Sequence, residues 1–109
     1  MIEVRRYTTN SGKDVIGDWL ANLADIRARA KVSVRIARLE AGNFGDCKPI
    51  GEGVWELRID WGPGYRVYYS VIGKTVVLLL CGADKRTQST DTKRAIEYLK
   101  DYKKRNTKL

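Results

Sequence analysis

Between residues 54 and 60 the chain alternates with a period of two: Trp55, Leu57 and Ile59 share one side, and Glu56, Arg58 and Asp60 the other. That period predicts a strand with one apolar and one polar face. Trp61-Gly62-Pro63-Gly64 follows as a turn, in which Pro63 holds its own φ and the flanking glycines accept positive φ. Alternation resumes with Tyr65, Val67, Tyr69 and Val71 against Arg66, Tyr68 and Ser70, and Gly73-Lys74 reads as a two-residue hairpin loop. Residues 75–81, TVVLLLC, are apolar on both sides, which predicts a central strand with packing on each face. Gly82-Ala83-Asp84-Lys85-Arg86 closes the sheet. The expected product is a short antiparallel sheet whose polar surface carries Arg58 and Arg66, with Arg86 beside them.

The first half of the chain has a helical period. A short strand, Ile2-Glu3-Val4-Arg5, comes first. Asn10 or Ser11 is the expected cap of a first helix, with Asp14 in its first turn, where the helix dipole favours negative charge. Val15, Ile16, Trp19, Leu20 and Leu23 form its apolar stripe. Asp25 caps a second helix that runs to about Ala41 and stops at Gly42-Asn43. On this helix Ile26, Ala30, Val34 and Ala37 fall together, extended by Val32, Ile36 and Leu39, while Arg27, Lys31, Arg35 and Arg38 share the opposite face. That basic face reads as a solvated surface or as a stripe facing phosphate or a partner protein. Residues 44–53 form a Gly-rich connection with one proline. Helical period returns from about Ser89 to Arg105 through Ala95, Ile96, Leu99 and Tyr102, with Lys100, Lys103, Lys104 and Arg105 at the negative helix end. Residues 106–109 are expected to fray. The element order is β-α-α-β-β-β-α: an α+β fold with two N-terminal helices packed on one face of an antiparallel sheet and a C-terminal helix.

Composition limits the rest. A chain of 109 residues forms one domain, 1–109. The longest apolar run, residues 76–81, is too short to span a bilayer, and no basic-then-apolar leader opens the chain, so a cytoplasmic protein is expected. Histidine is absent and Cys47 and Cys81 lie far apart, so neither a metal site nor a cofactor is expected, and both cysteines read as reduced packing residues. The net charge of +8 is uneven: residues 1–54 hold nine Lys/Arg against seven Asp/Glu, and residues 55–109 hold twelve against six. A basic half of this kind favours nucleic acid or an acidic protein surface, and equally fits a soluble basic surface.

The element order, the WELRI and GYRVYY strands and the GADKR loop before the last helix resemble the RelE/ParE toxin superfamily, in its branch of HigB-related addiction-module killer proteins. The resemblance covers essentially the whole chain, with most of its specificity in residues 54–102. It implies the toxin of a type II toxin–antitoxin pair, neutralised by a cognate antitoxin that in this branch is a helix-turn-helix DNA-binding protein. Ribonuclease members cut mRNA on the ribosome (mRNA interferases); ParE-like members keep the fold and poison DNA gyrase without enzymatic chemistry.

Metal-independent RNA cleavage needs the 2′-hydroxyl deprotonated, the charge growing on phosphate stabilised, and the leaving 5′-oxygen protonated. Arginine suits the middle task because its planar fork stays charged and grips phosphate oxygens. By the resemblance Arg66 and Arg86 carry that task, and Arg58 on the face of Arg66 adds substrate grip. Acid and base remain open between Asp84, Lys85, Asp91 and Tyr68, each with a structural alternative: Asp84 fixing its loop, Asp91 capping the last helix, Tyr68 covering the sheet. The candidate catalytic set is Arg66, Arg86, Asp84 and Lys85; the candidate RNA-binding set is Arg58, Arg66, Lys85, Arg86 and Tyr68. Glu56 reads as a cross-strand partner of Arg66. Trp61 and Tyr65 flank the turn, placed either to stack on a base or to cover the core edge.

Overall fold

The computed structural model describes residues 2–86 and 88–106. It is an α+β protein of five strands and three helices: β1 (Glu3–Arg6), α1 (Val15–Ala21), α2 (Ile26–Glu40), β2 (Cys47–Gly51), β3 (Val54–Ile59), β4 (Tyr65–Ile72), β5 (Val76–Asp84) and α3 (Gln88–Asn106). The strands form one sheet in the order β1-β5-β4-β3-β2. β1 lies parallel to β5, and every other pairing is antiparallel. Residues 107–109, expected to fray, lie outside the described residues, and Asn106 closes α3. Among the described residues no helix is long and apolar enough to cross a membrane.

Both faces of the sheet are covered, which is the first departure from a sheet with one open polar face. On one side Leu57, Ile59, Val67, Tyr69, Val77 and Leu79 bury against Ile16 of α1 and Ala28, Val32 and Leu39 of α2. On the other, Val54, Tyr68, Leu78, Leu80, Cys81 and Ala83 bury against Ala95 and Leu99 of α3. β5 therefore sits in the middle of two cores, as a run apolar on both sides requires. Its register slips once against β4: Tyr68 faces Cys81 while Tyr69 faces Leu79, so Leu80 is an extra residue. Beyond the slip, Cys81 and Ala83 point toward α3 and Gly82 toward α1, where the Trp19 ring occupies the space a Cβ would need. Gly82 is held to glycine by that ring.

Three local expectations change. The connection at residues 44–53 contains a strand: Cys47 pairs with Leu57, Lys48 with Glu56 and Pro49 with Trp55. Pro49 is tolerated because β2 is an edge strand, and Glu52-Gly53, both at positive φ (52° and 83°), make a tight primed hairpin turn. Gly45, Gly51, Gly53 and Pro49 hid the alternation. α1 starts at Val15, and its cap is Asp14, whose Oδ1 accepts from Gly17 N at 3.1 Å, rather than Asn10 or Ser11. Asp25 caps α2 as expected, accepting from Arg27 N at 2.9 Å. On α2, however, the residues turned inward are Ala28, Val32 and Leu39, whereas Ile26 and Val34 are 72% and 50% exposed. The helix has two apolar stripes, and only one of them faces the core.

α3 is anchored through tyrosines. Tyr7 stacks on Tyr98 with ring centroids 4.8 Å apart, and its hydroxyl donates to Asp101 at 2.5 Å. Arg105 binds Asp101 at 2.7 Å. Burial, reinforced by the Asp101 hydrogen bond, pushes the Tyr7 phenol up to about 12; burial also raises Tyr68, Tyr69 and Tyr98. A raised folded-state value means that folding favours the neutral phenol, so this stabilisation is complete below the unfolded value of 10.0 and is lost as pH rises through the folded values. A titration followed by tyrosinate absorbance should therefore show most tyrosines ionising only together with loss of secondary structure, above pH 10. Ionisation of all six near pH 10 in a still-folded protein would contradict this packing.

Candidate functional site

The site is built at the end of the β3–β4 hairpin. Arg58 and Arg66 face each other directly across the two strands, on the side of the sheet shared with Glu56 and Tyr68. Like charges opposed in this way repel unless each finds a counter-charge. Arg58 finds Asp46, to whose Oδ1 it donates from Nε (3.2 Å) and Nη2 (2.9 Å). Arg66 finds Glu56, its Nε lying 3.2 Å from Oε1, and its Nη1 donates to Tyr65 O at 3.1 Å. The two pairs differ in depth. The Arg58–Asp46 pair is open to solvent, whereas the Arg66 and Glu56 side chains are only 16% and 1% exposed. Glu56 is thus the counter-charge that its alternation with Arg66 suggested.

Arg58 and Arg66 line a cleft of about 420 Å³, together with Asp46, Asp60, Lys85 and the Gly62-Pro63-Gly64 turn. Lys85 is brought in by its backbone, whose N–H donates to Gly64 O at 3.0 Å, and it has no ion pair among the described residues. Arg35 of α2 braces the cleft from behind, donating to Arg58 O (2.6 Å), Phe44 O (3.1 Å) and Asp46 O (3.4 Å). That spends one member of the α2 basic face on structure.

The remaining candidates fall elsewhere. Arg86 is 80% exposed and grips Asp84: Nη2 donates to Oδ2 at 2.7 Å, and the Arg86 N–H donates to Oδ1 at 2.8 Å, so Asp84 fixes its own loop. Asp84 lines a second cavity with Trp19, Asp91 and Arg94, apart from the Arg58–Arg66 cleft. Asp91 is buried and paired with Arg94 at 3.3 Å. Tyr68 is fully buried, with its hydroxyl accepting from Thr92 at 3.3 Å, so it is not a surface on which RNA can lie. Tyr65 is also buried, edge-on to Trp19, so its ring is closed to a base, and the Lys31 ammonium sits 4.9 Å over the half-buried Trp61 ring. Cys81 is a packing residue whose thiol burial pushes up to about 12. Asp46 and Asp60 are the cleft residues that sequence reasoning did not select. Asp60 carried a signal, since it continues the Glu56-Arg58 face; Asp46 carried none, because glycine and proline mask the strand it precedes. Among the described residues no group of three or more His, Cys, Asp or Glu is placed to hold a metal ion.

A five-stranded sheet clasped between two N-terminal helices and one C-terminal helix, with a cleft that gathers Arg58, Arg66 and Lys85 at the end of its β3–β4 hairpin, fits the α+β architecture expected from the RelE/ParE resemblance. The chain belongs to the family of phage-derived Gp49-like proteins (DUF891), whose model matches residues 18–103, a span that contains every candidate residue. This family falls within the toxin–antitoxin-associated RelE/HigB-like toxin group. An uncharacterised protein of Haemophilus influenzae (strain ATCC 51907 / DSM 11121 / KW20 / Rd) is 53% identical over 77 residues, covering 71% of this chain and 78% of that protein.

The difference in depth between the two ion pairs is measurable. Glu56→Gln preserves shape but leaves the Arg66 guanidinium without its carboxylate, and should cost about 3 kcal/mol in denaturant unfolding. Asp46→Asn, at the exposed pair, should leave the unfolding midpoint close to the parent value. Equal losses in the two variants would contradict the assignment of Glu56 as a buried structural counter-ion.

Proposed function

We propose that this protein is the toxin of a type II toxin–antitoxin pair and that it acts as a ribosome-dependent mRNA endonuclease in the cytoplasm, held in check by a cognate helix-turn-helix antitoxin. The observation that carries this reading is the convergence of Arg58, Arg66 and Lys85 on one cleft beside a glycine-rich turn that lets a backbone approach closely. Arg66 is the transition-state residue. Its guanidinium is held by Glu56 and by the Tyr65 carbonyl, so it needs no reorganisation when charge develops on the phosphate oxygens. Arg58 is held only by a solvent-open pair, which a phosphate can displace at little cost.

The reaction balances on the cleft's own groups. The 2′-oxygen attacks the adjacent phosphorus, the new P–O2′ bond forms and the P–O5′ bond breaks, leaving a 2′,3′-cyclic phosphate and a 5′-hydroxyl. Asp60 takes the proton from the 2′-hydroxyl, and the Lys85 ammonium gives one to the departing 5′-oxygen. Arg86, on the neighbouring loop, meets the flanking RNA rather than the scissile phosphate, and Asp84 holds that loop in place.

The three arginines are each matched with a carboxylate, and that observation favours the second reading, a surface that poisons gyrase without cutting RNA. Primer extension on mRNA programmed into ribosomes separates the two. The expected result is discrete cuts, lost in Lys85→Ala and reduced roughly 100-fold in Arg66→Lys, which keeps the charge opposite Glu56 but loses the fork. Arg66→Ala is a poorer probe, because it strands the buried carboxylate. Inhibition of supercoiling with intact mRNA would overturn the nuclease assignment.

A further inference from the structure

The outward stripe of α2 lines a groove of about 610 Å³ between that helix and the β3–β4 turn, distinct from the cleft. Its floor is carbon: Ala30 and Val34 from the helix, Ile59 from β3, and the Trp61 ring. Ile26 continues the same stripe one helical turn before Ala30, at i, i+4 and i+8 spacing, and it is the most exposed large apolar side chain among the described residues. A single exposed valine or isoleucine needs no explanation, but a continuous row along one helix does. The rim is basic. Arg27, Lys31 and Arg38 stand along it, none of them in an ion pair among the described residues, and Asp60 is the one carboxylate in the lining. From Ile26 to Arg38 the row runs roughly 18 Å, the length of three helical turns.

We infer that this groove is the docking site for an acidic amphipathic helix of a partner protein. The apolar face of such a helix would lie on Val34, Ala30 and Ile26, and its carboxylates would meet Arg27, Lys31 and Arg38. Charge complementarity selects the sign of the partner, and the carbon floor selects a peptide over a nucleic acid. RNA would need an open ring for stacking, and the Lys31 ammonium occupies the face of Trp61. The inference rests on the toxin–antitoxin reading only for the natural source of the segment, an antitoxin. Because Asp60 lines both the groove and the cleft, a segment seated here ends beside the Arg58–Arg66 site and obstructs RNA from entering it.

The test uses the whole chain and a synthetic 15-residue helical peptide with leucine at i, i+4 and i+8, glutamate at four flanking positions and alanine elsewhere, followed by calorimetry without ribosomes, so that its outcome is independent of any nuclease assay. Micromolar binding that weakens with salt is expected. Val34→Asp and the pair Arg27→Glu/Lys31→Glu should each weaken it at least tenfold while helical circular dichroism is unchanged. The pair Lys13→Glu/Lys74→Glu, which makes the same change in net charge away from the groove, should leave it within twofold. Loss of binding in that control pair, persistence in Val34→Asp, or no binding by the parent protein would overturn the inference. So would binding of a single-stranded RNA oligonucleotide that the groove variants abolish while the peptide fails to bind, which would make the groove a nucleic-acid surface.

Discussion

Everything at the site follows from how β5 is satisfied. It is hydrogen-bonded on both edges, by β1 and β4, and buried on both faces, by α1 and α2 on one side and α3 on the other. A strand so confined can change phase only where an extra residue is inserted, and that happens at Leu80. Strict alternation from Leu78 would carry Gly82 and Asp84 to the α3 side. The inserted residue sends Cys81 and Ala83 there instead, turns Gly82 to the Trp19 ring and leaves Asp84 opposite Tyr65. Continued one step past the strand, the same phase brings Lys85 to the side of Arg66. The cleft therefore holds a lysine where an unbroken strand would have placed a carboxylate.

The Arg66–Glu56 pair is the second constraint, and it is electrostatic. A carboxylate only 1% exposed is costly without a counter-charge, so the guanidinium is as necessary to the sheet as to any substrate. The consequence for function is preorganisation. Arg66 cannot swing freely into solvent, and whatever it stabilises must come to it. Arg58, facing it across the hairpin, has the opposite character: a pairing at the surface, weak and exchangeable. One fixed and one movable cation make a reasonable pair for holding a phosphate through a change of charge and shape, which two rigid or two mobile ones would do less well.

Much of this was legible in the sequence where one period dominated. β3, β4 and β5 declared themselves through alternation and through a run apolar on both sides, and the Glu56–Arg66 pairing followed from the same period. Reading failed where two signals overlapped. In α2 two apolar stripes share one helix, and a helical wheel cannot say which of Ile26-Ala30-Val34 and Ala28-Val32-Leu39 meets the sheet; only the direction from which β3 and β1 approach decides it. In β2, glycine and proline masked an edge strand, and with it the role of Asp46. For Arg86 and Tyr68 the missing fact was the phase slip in β5 and the cover that α3 lays over β4, neither of which leaves a mark in the local pattern.

The distribution of charge separates attraction from grip. Arg58, Arg66 and Lys85 in the cleft are nearly balanced by Asp46, Asp60 and the underlying Glu56, so this site exerts little long-range pull despite a chain charge of +8. The excess positive charge resides on the outer face of α2 and on the last turn of α3, where Lys103, Lys104 and Arg105 lie. In the proposed nuclease a polyanion would therefore be steered by surfaces outside the cleft and held by a cleft that, being locally neutral, does not attract anions indiscriminately. An arrangement of this kind restricts capture to partners long enough to bridge the two regions. Under the two proposals, a ribosome-bound message and an acidic helix laid along α2 would compete where the groove and the cleft meet, at Asp60.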